Sequence, residues 1–251
     1  MERAKSYLKM ANGYRYYDSI ELCVAIWIRY LRSYDMSLKD VDDFLKSDIW
    51  EQIEIAALQR DRLEREHLRI RCKLACLNEM RQALEGFAVD PDACTLCKRP
   101  EMLGFFYRDH DALIKKGDYI VRMEEWGRCT PMVQPMFRIG HDMIFAQGHP
   151  ETEYRIGLWM KKSHHMLFEL PMDENCFIAP EQTCIHTVFE GYDAISRHPA
   201  YLEKVRRRVE KFADEKGVVP TGPIYGNSFY SMRTRQGLHH LAHLWIPIEQ
   251  K

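Results

Sequence analysis

The 251-residue sequence has no run of about 18 apolar residues, so no segment reads as a membrane-spanning helix. Its first residues, Met-Glu-Arg-Ala-Lys, lack the apolar core of a secretory signal. Excess charge of one sign is also missing: the formal net charge is −1, which gives no global reason to bind nucleic acid or an acidic surface. Eight cysteines without a secretion signal read as reduced thiols of a cytoplasmic protein, not as a disulfide framework. No Gly-x-x-x-x-Gly-Lys loop, Gly-x-Ser-x-Gly elbow or His-Glu-x-x-His pair occurs, so the common enzyme signatures are absent and no cofactor is implied. Disorder is disfavoured by an apolar fraction of 46% beside 29% charged residues.

Glycine and proline are missing altogether from residues 48–85, which predicts one long helix. Steps of seven from Ile49 meet Ala56, Leu63, Ile70, Leu77 and Leu84, an unbroken apolar row. The companion row, Ile53, Arg60, His67, Leu74 and Arg81, is mixed. One clean row suggests a coiled-coil seam and a homodimer through residues 49–84. Gly86 is the expected stop.

Before this helix, Asp18 with Glu21 and Ser37 with Asp40 are spaced as capping boxes, each ahead of apolar residues at helical intervals. Ile20, Val24, Trp27, Ile28 and Leu31 should form the inner face of the first of these short helices. Residues 1–34 also hold a small basic excess: Arg3, Lys5, Lys9, Arg15, Arg29 and Arg32 against Glu2, Asp18 and Glu21. Beyond the long helix, Asp90-Pro91-Asp92 is turn chemistry, and residues 87–117 read as a linker. Strands are expected at 119–123, 142–146, 154–159 and 184–189, a helix at 201–216 and a closing strand at 244–248. Strands with a few helices, without regular alternation, point to an α+β domain over 118–251.

The run Asn12-Gly13-Tyr14-Arg15-Tyr16-Tyr17-Asp18, the helix ending Ile28-Arg29-Tyr30-Leu31-Arg32, and Met36-Ser37-Leu38-Lys39-Asp40-Val41 together resemble the MerR family of transcription regulators. The resemblance implies that residues 12–18 form a wing and that two helices complete a DNA-binding head over residues 1–47. It also implies that the long helix, 48–86, dimerises as a coiled coil. Tyr14, Arg15 and Tyr16 would then touch DNA phosphates, contacts that position a protein without specifying sequence. Family members carry a helix-turn-helix with its recognition helix before the wing. Only Met1–Ala11 precede it here, so the reading is of an incomplete head with impaired DNA binding.

Residues 118–251 are similar to GyrI-like domains, through Cys184-Ile185-His186-Thr187-Val188-Phe189-Glu190-Gly191-Tyr192 and the closing Trp245-Ile246-Pro247-Ile248. Between them lie the helix at 201–216 and the Gly-rich run 220–226. The resemblance implies a pseudo-symmetric antiparallel α+β fold with a cleft for a small, flat effector. Trp159, Tyr225, Phe229, Tyr230 and Trp245 are the candidate walls, with His243 at the floor, where relatives that bind cations carry a glutamate. An imidazole there favours a neutral or anionic aromatic ligand and should charge near pH 6.5. Glu153 and Glu169 are fallback carboxylates. Hydrolysis of strained cyclopropane-bearing toxins, known for some stand-alone GyrI-like proteins, is the enzymatic alternative. Cys94 and Cys97 have the spacing of half a zinc knuckle, but Cys72, Cys76 and His110 do not complete it, so no metal site is assigned. The pairs His164-His165 and His239-His240 are expected to face solvent.

Overall fold

The computed structural model describes residues 18–110, 112–114, 119–146, 153–168, 170–192, 199–235 and 237–250. The wing candidates Tyr14, Arg15 and Tyr16, and the fallback Glu169, lie outside them. The chain divides into two compact units, residues 1–71 and 72–251.

In the first unit, α1 (Ser19–Arg32) and α2 (Leu38–Lys46) start where the capping boxes place them. The Glu21 amide donates to Asp18 Oδ1 at 2.7 Å and the Asp18 amide to Glu21 Oε2 at 3.1 Å. Ser37 and Asp40 exchange the same pair of bonds, both at 3.0 Å. Leu31, Met36 and Val41 form a small core with Ile28, Phe44 and Ile55. The expected inner face of α1 is only half used, since Ile20, Val24 and Trp27 remain exposed.

The long helix exists and is longer than expected: α3 runs Ile49–Val89. Its 41 residues span about 61 Å at 1.5 Å per residue. Gly86 does not end it. The helix continues to the residue before Asp90, where Pro91 removes the next amide donor. Ile49, Ile70 and Leu77 of the apolar row are exposed to solvent.

The second unit is an α+β assembly around one antiparallel sheet, in agreement with the expected class. Its elements are β1 (Cys94–Arg99), β2 (Met102–Asp109), β3 (Ala112–Leu113), α4 (Tyr119–Gly127), β4 (Gln134–Ile139) and α5 (Asp142–Phe145). They continue with β5 (Tyr154–Lys161), α6 (Lys162–Phe168), β6 (Cys176–Ala179), β7 (Gln182–Tyr192), α7 (Pro199–Lys216), β8 (Val218–Pro220), β9 (Ile224–Thr234) and β10 (Gly237–Gln250). The sheet order is β1-β7-β10-β9-β4-β5-β2-β3, with β6 on β2 and β8 on β10.

Three expectations need correction. The stretch 87–117 is not a linker, because β1 and β2 are integral strands of the sheet. Of the expected strands at 119–123 and 142–146, residues 119–123 and 142–145 are helical, not extended. The β-rich composition of 119–123 loses to packing: Met123 and Trp126, at helical spacing, enter a core with Phe105 and Met160, while Ile120 and Val121 face solvent. In α5 it is Ile144 that turns inward. The expected strands at 154–159 and 184–189, the helix at 201–216 and the closing strand all form.

The sheet has one face under helices. Ile185, Phe189, Ala242, Leu244 and Ile246 pack there against Val205, Val209 and Ala213 of α7. On β5, Tyr154, Ile156, Leu158 and Met160 serve these helix-covered cores, while Trp159 turns to the opposite face with Met136, Tyr225 and Trp245. The strands approach closely at Gly157, where a Cβ would stand 2.2 Å from the Phe105 carbonyl oxygen. Nothing lies within 4 Å of a Cβ built at Gly86. Gly86→Ala is therefore expected to stabilise the helix by up to about 1 kcal/mol. Gly157→Ala should destabilise the sheet unit, because backbone must move. Denaturant melts of both variants check the opposite signs.

Candidate functional site

The face of the sheet opposite α7 carries a cavity of about 130 Å³ whose walls come from β4, β5, β9, β10, α3 and Pro100 between β1 and β2. Four of the six proposed ligand-contacting residues meet there: Trp159, Phe229, His243 and Trp245. Period-two alternation puts His243 and Trp245 on this face, and Leu244 and Ile246 behind it in the α7 core. His243 pairs in register with Asn227 and Trp245 with Tyr225. The register shifts between Leu241 and Ala242, leaving Phe229 as the extra residue of a β-bulge. Its ring lies 4.4 Å from the His243 ring, centroid to centroid. The His243 ring also stacks near Trp245 at 5.5 Å, and Trp245 meets Trp159 edge-on at 5.9 Å. The result is a continuous aromatic wall.

Tyr225 and Tyr230 fall elsewhere. Tyr225 is buried beside the cavity-face cluster, and one of its ring faces is covered by the Arg99 guanidinium, 4.5 Å from the ring centroid. Arg99 is 1% exposed and donates from Nη2 to the Pro180 carbonyl at 2.8 Å, so the pair is part of the core. Tyr230 lies beyond the bulge, where its ring meets His239 and its hydroxyl donates to Met232 Sδ.

The sequence reading missed the contribution of α3. Cys76, Glu79 and Met80 line the cavity from that helix, and Cys72 and Cys76 pack on Met132 and Phe168. Glu79 is the carboxylate among the lining residues. It is already engaged, in an ion pair with Lys161 of β5, another lining residue. The fallback Glu153 pairs instead with Arg138 at 3.2 Å and Arg155 at 3.3 Å, away from the lining residues. Gln134 and Asn227 complete the polar part of the wall. Asn227 Nδ2 donates to Gln134 Oε1 at 2.7 Å.

His243 does not behave as an ordinary imidazole. Its Nδ1 shares a 2.8 Å hydrogen bond with His186 Nε2. Burial, with the neighbouring His186 and the Lys161 ammonium, pushes its pKa down to about 3. Burial also lowers His186. The expected switch near pH 6.5 is thereby corrected: His243 stays neutral across the physiological range and offers hydrogen bonds, not charge.

The remaining candidates separate. Cys94 packs on the helix-covered core and Cys97 on the opposite cluster, so one strand points their thiols to different faces. Among the described residues no group of three or more His, Cys, Asp or Glu could hold a metal ion. The histidine pairs are not simply solvent-facing: His240 is buried on Phe189, His239 meets Glu190 at 3.1 Å, and His165 meets the Leu170 carbonyl at 2.9 Å.

A histidine whose folded pKa is depressed favours the folded state fully above the unfolded value. The unfolded chain takes up the proton below about pH 6.5, whereas His243 in the fold does so only near 3. Its contribution is therefore lost as pH falls through that window. His243→Phe should flatten the decline of unfolding free energy between about pH 6.5 and 4, as read by denaturant melts. An unchanged slope would contradict the assignment.

No protein-family profile matches the chain, and no curated protein matches it. Among solved structures, the EcmrR–DNA complex is 15% identical over 98% of this chain and 89% of that one, with a TM-score of 0.38. The EcmrR C-terminal domain is 13% identical over 63% of this chain and 98% of its own, at 0.36. A hydrolase from Listeria innocua is 10% identical over 67% of this chain and 98% of its own, at 0.38. Likeness at this level assigns neither fold nor function.

Proposed function

We propose that the chain is a transcription regulator of the MerR type whose sheet unit senses a small aromatic molecule in the cavity on the face opposite α7. The carrying observation is the aromatic wall of Trp159, Phe229, His243 and Trp245 around about 130 Å³. That is the scale of a cavity that admits one benzene-sized ring. Aromatic surfaces stack on a flat ligand, and a few polar groups set its orientation. The regulatory role rests on the wing-like run 12–18 and on the order of the elements after it. In this reading Tyr14, Arg15 and Tyr16 contact DNA phosphates, so DNA binding is weak and falls steeply with salt.

Hydrolysis is the poorer reading, because the one carboxylate among the lining residues, Glu79, is held by Lys161. The exposed row of Ile49, Ile70 and Leu77 on α3 supports a homodimer through residues 49–84. Leu63→Glu with Ile70→Glu should then convert a dimer into a monomer by light scattering. A wild-type monomer at micromolar concentration would overturn the dimer.

The effector reading is tested on the full chain, because Cys76, Glu79 and Met80 of α3 belong to the cavity wall. A ligand that binds only the folded state raises its melting temperature. A panel of one- and two-ring aromatic compounds should contain members that do so, and Trp159→Ala with Trp245→Ala should abolish the rise. A panel without any stabilising compound would sink the reading, and turnover of a bound compound would return the chain to the enzymes.

A further inference from the structure

Cys97 of β1 and Cys184 of β7 stand directly opposite one another in the antiparallel ladder. Both side chains pack into the cluster of Met102, Trp159, Tyr225 and Trp245, so the two thiols share one face of the sheet. Burial pushes the Cys184 thiol up to about 11, with the Arg99 guanidinium opposing and the neighbouring Cys97 adding to the rise. Cys94, three positions earlier on β1, turns to the other face and has Thr187 opposite it.

Directly opposed residues of an antiparallel pair have Cα atoms about 4.5 or about 5.5 Å apart, according to whether they exchange backbone hydrogen bonds. Both spacings fall within the roughly 4.4–6.8 Å that a disulfide spans. The Cβ atoms of such a pair, about 4.5–5.5 Å apart, need to approach by at most about 1 Å. β1 can supply that movement, because among the described residues it is paired on one side only.

We propose that Cys97 and Cys184 are an oxidation site, which a hydroperoxide closes into a disulfide that staples the edge strand to the sheet. Cys97 is half-buried and Cys184 fully buried, so the oxidant meets Cys97 first. The Cys97 sulfur attacks the peroxide oxygen, the O–O bond breaks, and Cys97 sulfenic acid and an alcohol form (water, from hydrogen peroxide). The Cys184 sulfur then attacks the Cys97 sulfur, and the sulfenic oxygen leaves as water. The two thiols lose two electrons and two protons, and the peroxide takes up both. Burial keeps both thiols protonated at neutral pH, so closure is slow and answers to sustained oxidant. The site stands independently of the effector reading.

The test is cysteine mapping of the reduced full chain after prolonged exposure to excess hydrogen peroxide. Remaining thiols are blocked with N-ethylmaleimide, and the chain is digested without reductant for mass spectrometry. The expected main product joins the Cys97 and Cys184 peptides, is lighter than their reduced sum by two hydrogens, and is released by dithiothreitol. Cys94→Ser should leave this bond unchanged. Cys184→Ser should leave Cys97 as a sulfenic acid that dimedone captures, and Cys97→Ser should leave Cys184 reduced. Cys23, exposed on α1, reports that the oxidant has acted. Oxidation of Cys23 without the Cys97–Cys184 bond, or either member joined to a different cysteine, overturns the inference. The wild-type map decides this even where a variant fails to fold.

Discussion

The sheet unit depends on the alternation of one strand. β10 lies between β7 and β9, so both its edges are hydrogen-bonded and neither can slip without breaking a ladder. Its even positions, Ala242, Leu244 and Ile246, are sealed under α7. Its odd positions His243 and Trp245 point to the other face, where they line the cavity together with residues of α3. A slip of one residue would exchange the two sets, placing imidazole and indole in the core and aliphatic side chains in the cavity. Core formation and site formation are one event at this strand.

The electrostatics of the site follow from that burial. Desolvation is the largest influence on His243, and the nearby Lys161 ammonium acts in the same direction. The Glu79 carboxylate compensates Lys161. The charges of the wall are held as a closed pair, and the rest of it includes aromatic rings and neutral hydrogen-bonding groups. Glu79 and Cys76 bring α3 into the wall of this cavity. A chain read only from residue 118 onward would lose this wall together with β1 and β2.

Much of this was legible in the sequence because the deciding signals were local. The capping boxes at Asp18 and Ser37 need only residues three apart, and both form. The long helix followed from the absence of its breakers. The closing strand's alternation put His243 and Trp245 on one face and Leu244 and Ile246 on the other, and Trp159 on a β-rich segment lines the same cavity as the first pair.

Other features needed the tertiary structure, for one physical reason: the deciding partner is distant in sequence. Helicity at 119–127 depends on Phe105 and Met160 receiving Trp126, a packing term that outweighs the strand preference of Ile120 and Val121. Phe229 reaches the wall, and Tyr230 does not, because a bulge against Leu241 and Ala242 re-aims the strand. Tyr225 is withheld from the cavity by Arg99, more than a hundred residues earlier. Glu79 enters it only because α3 brings the carboxylate to Lys161. The sequence by itself determined which segments could be helix or strand and which residues share a strand face. Register, the bulge and the buried charge pairing were decided in three dimensions, because periodicity records spacing along the chain and carries no information about what waits on the other side.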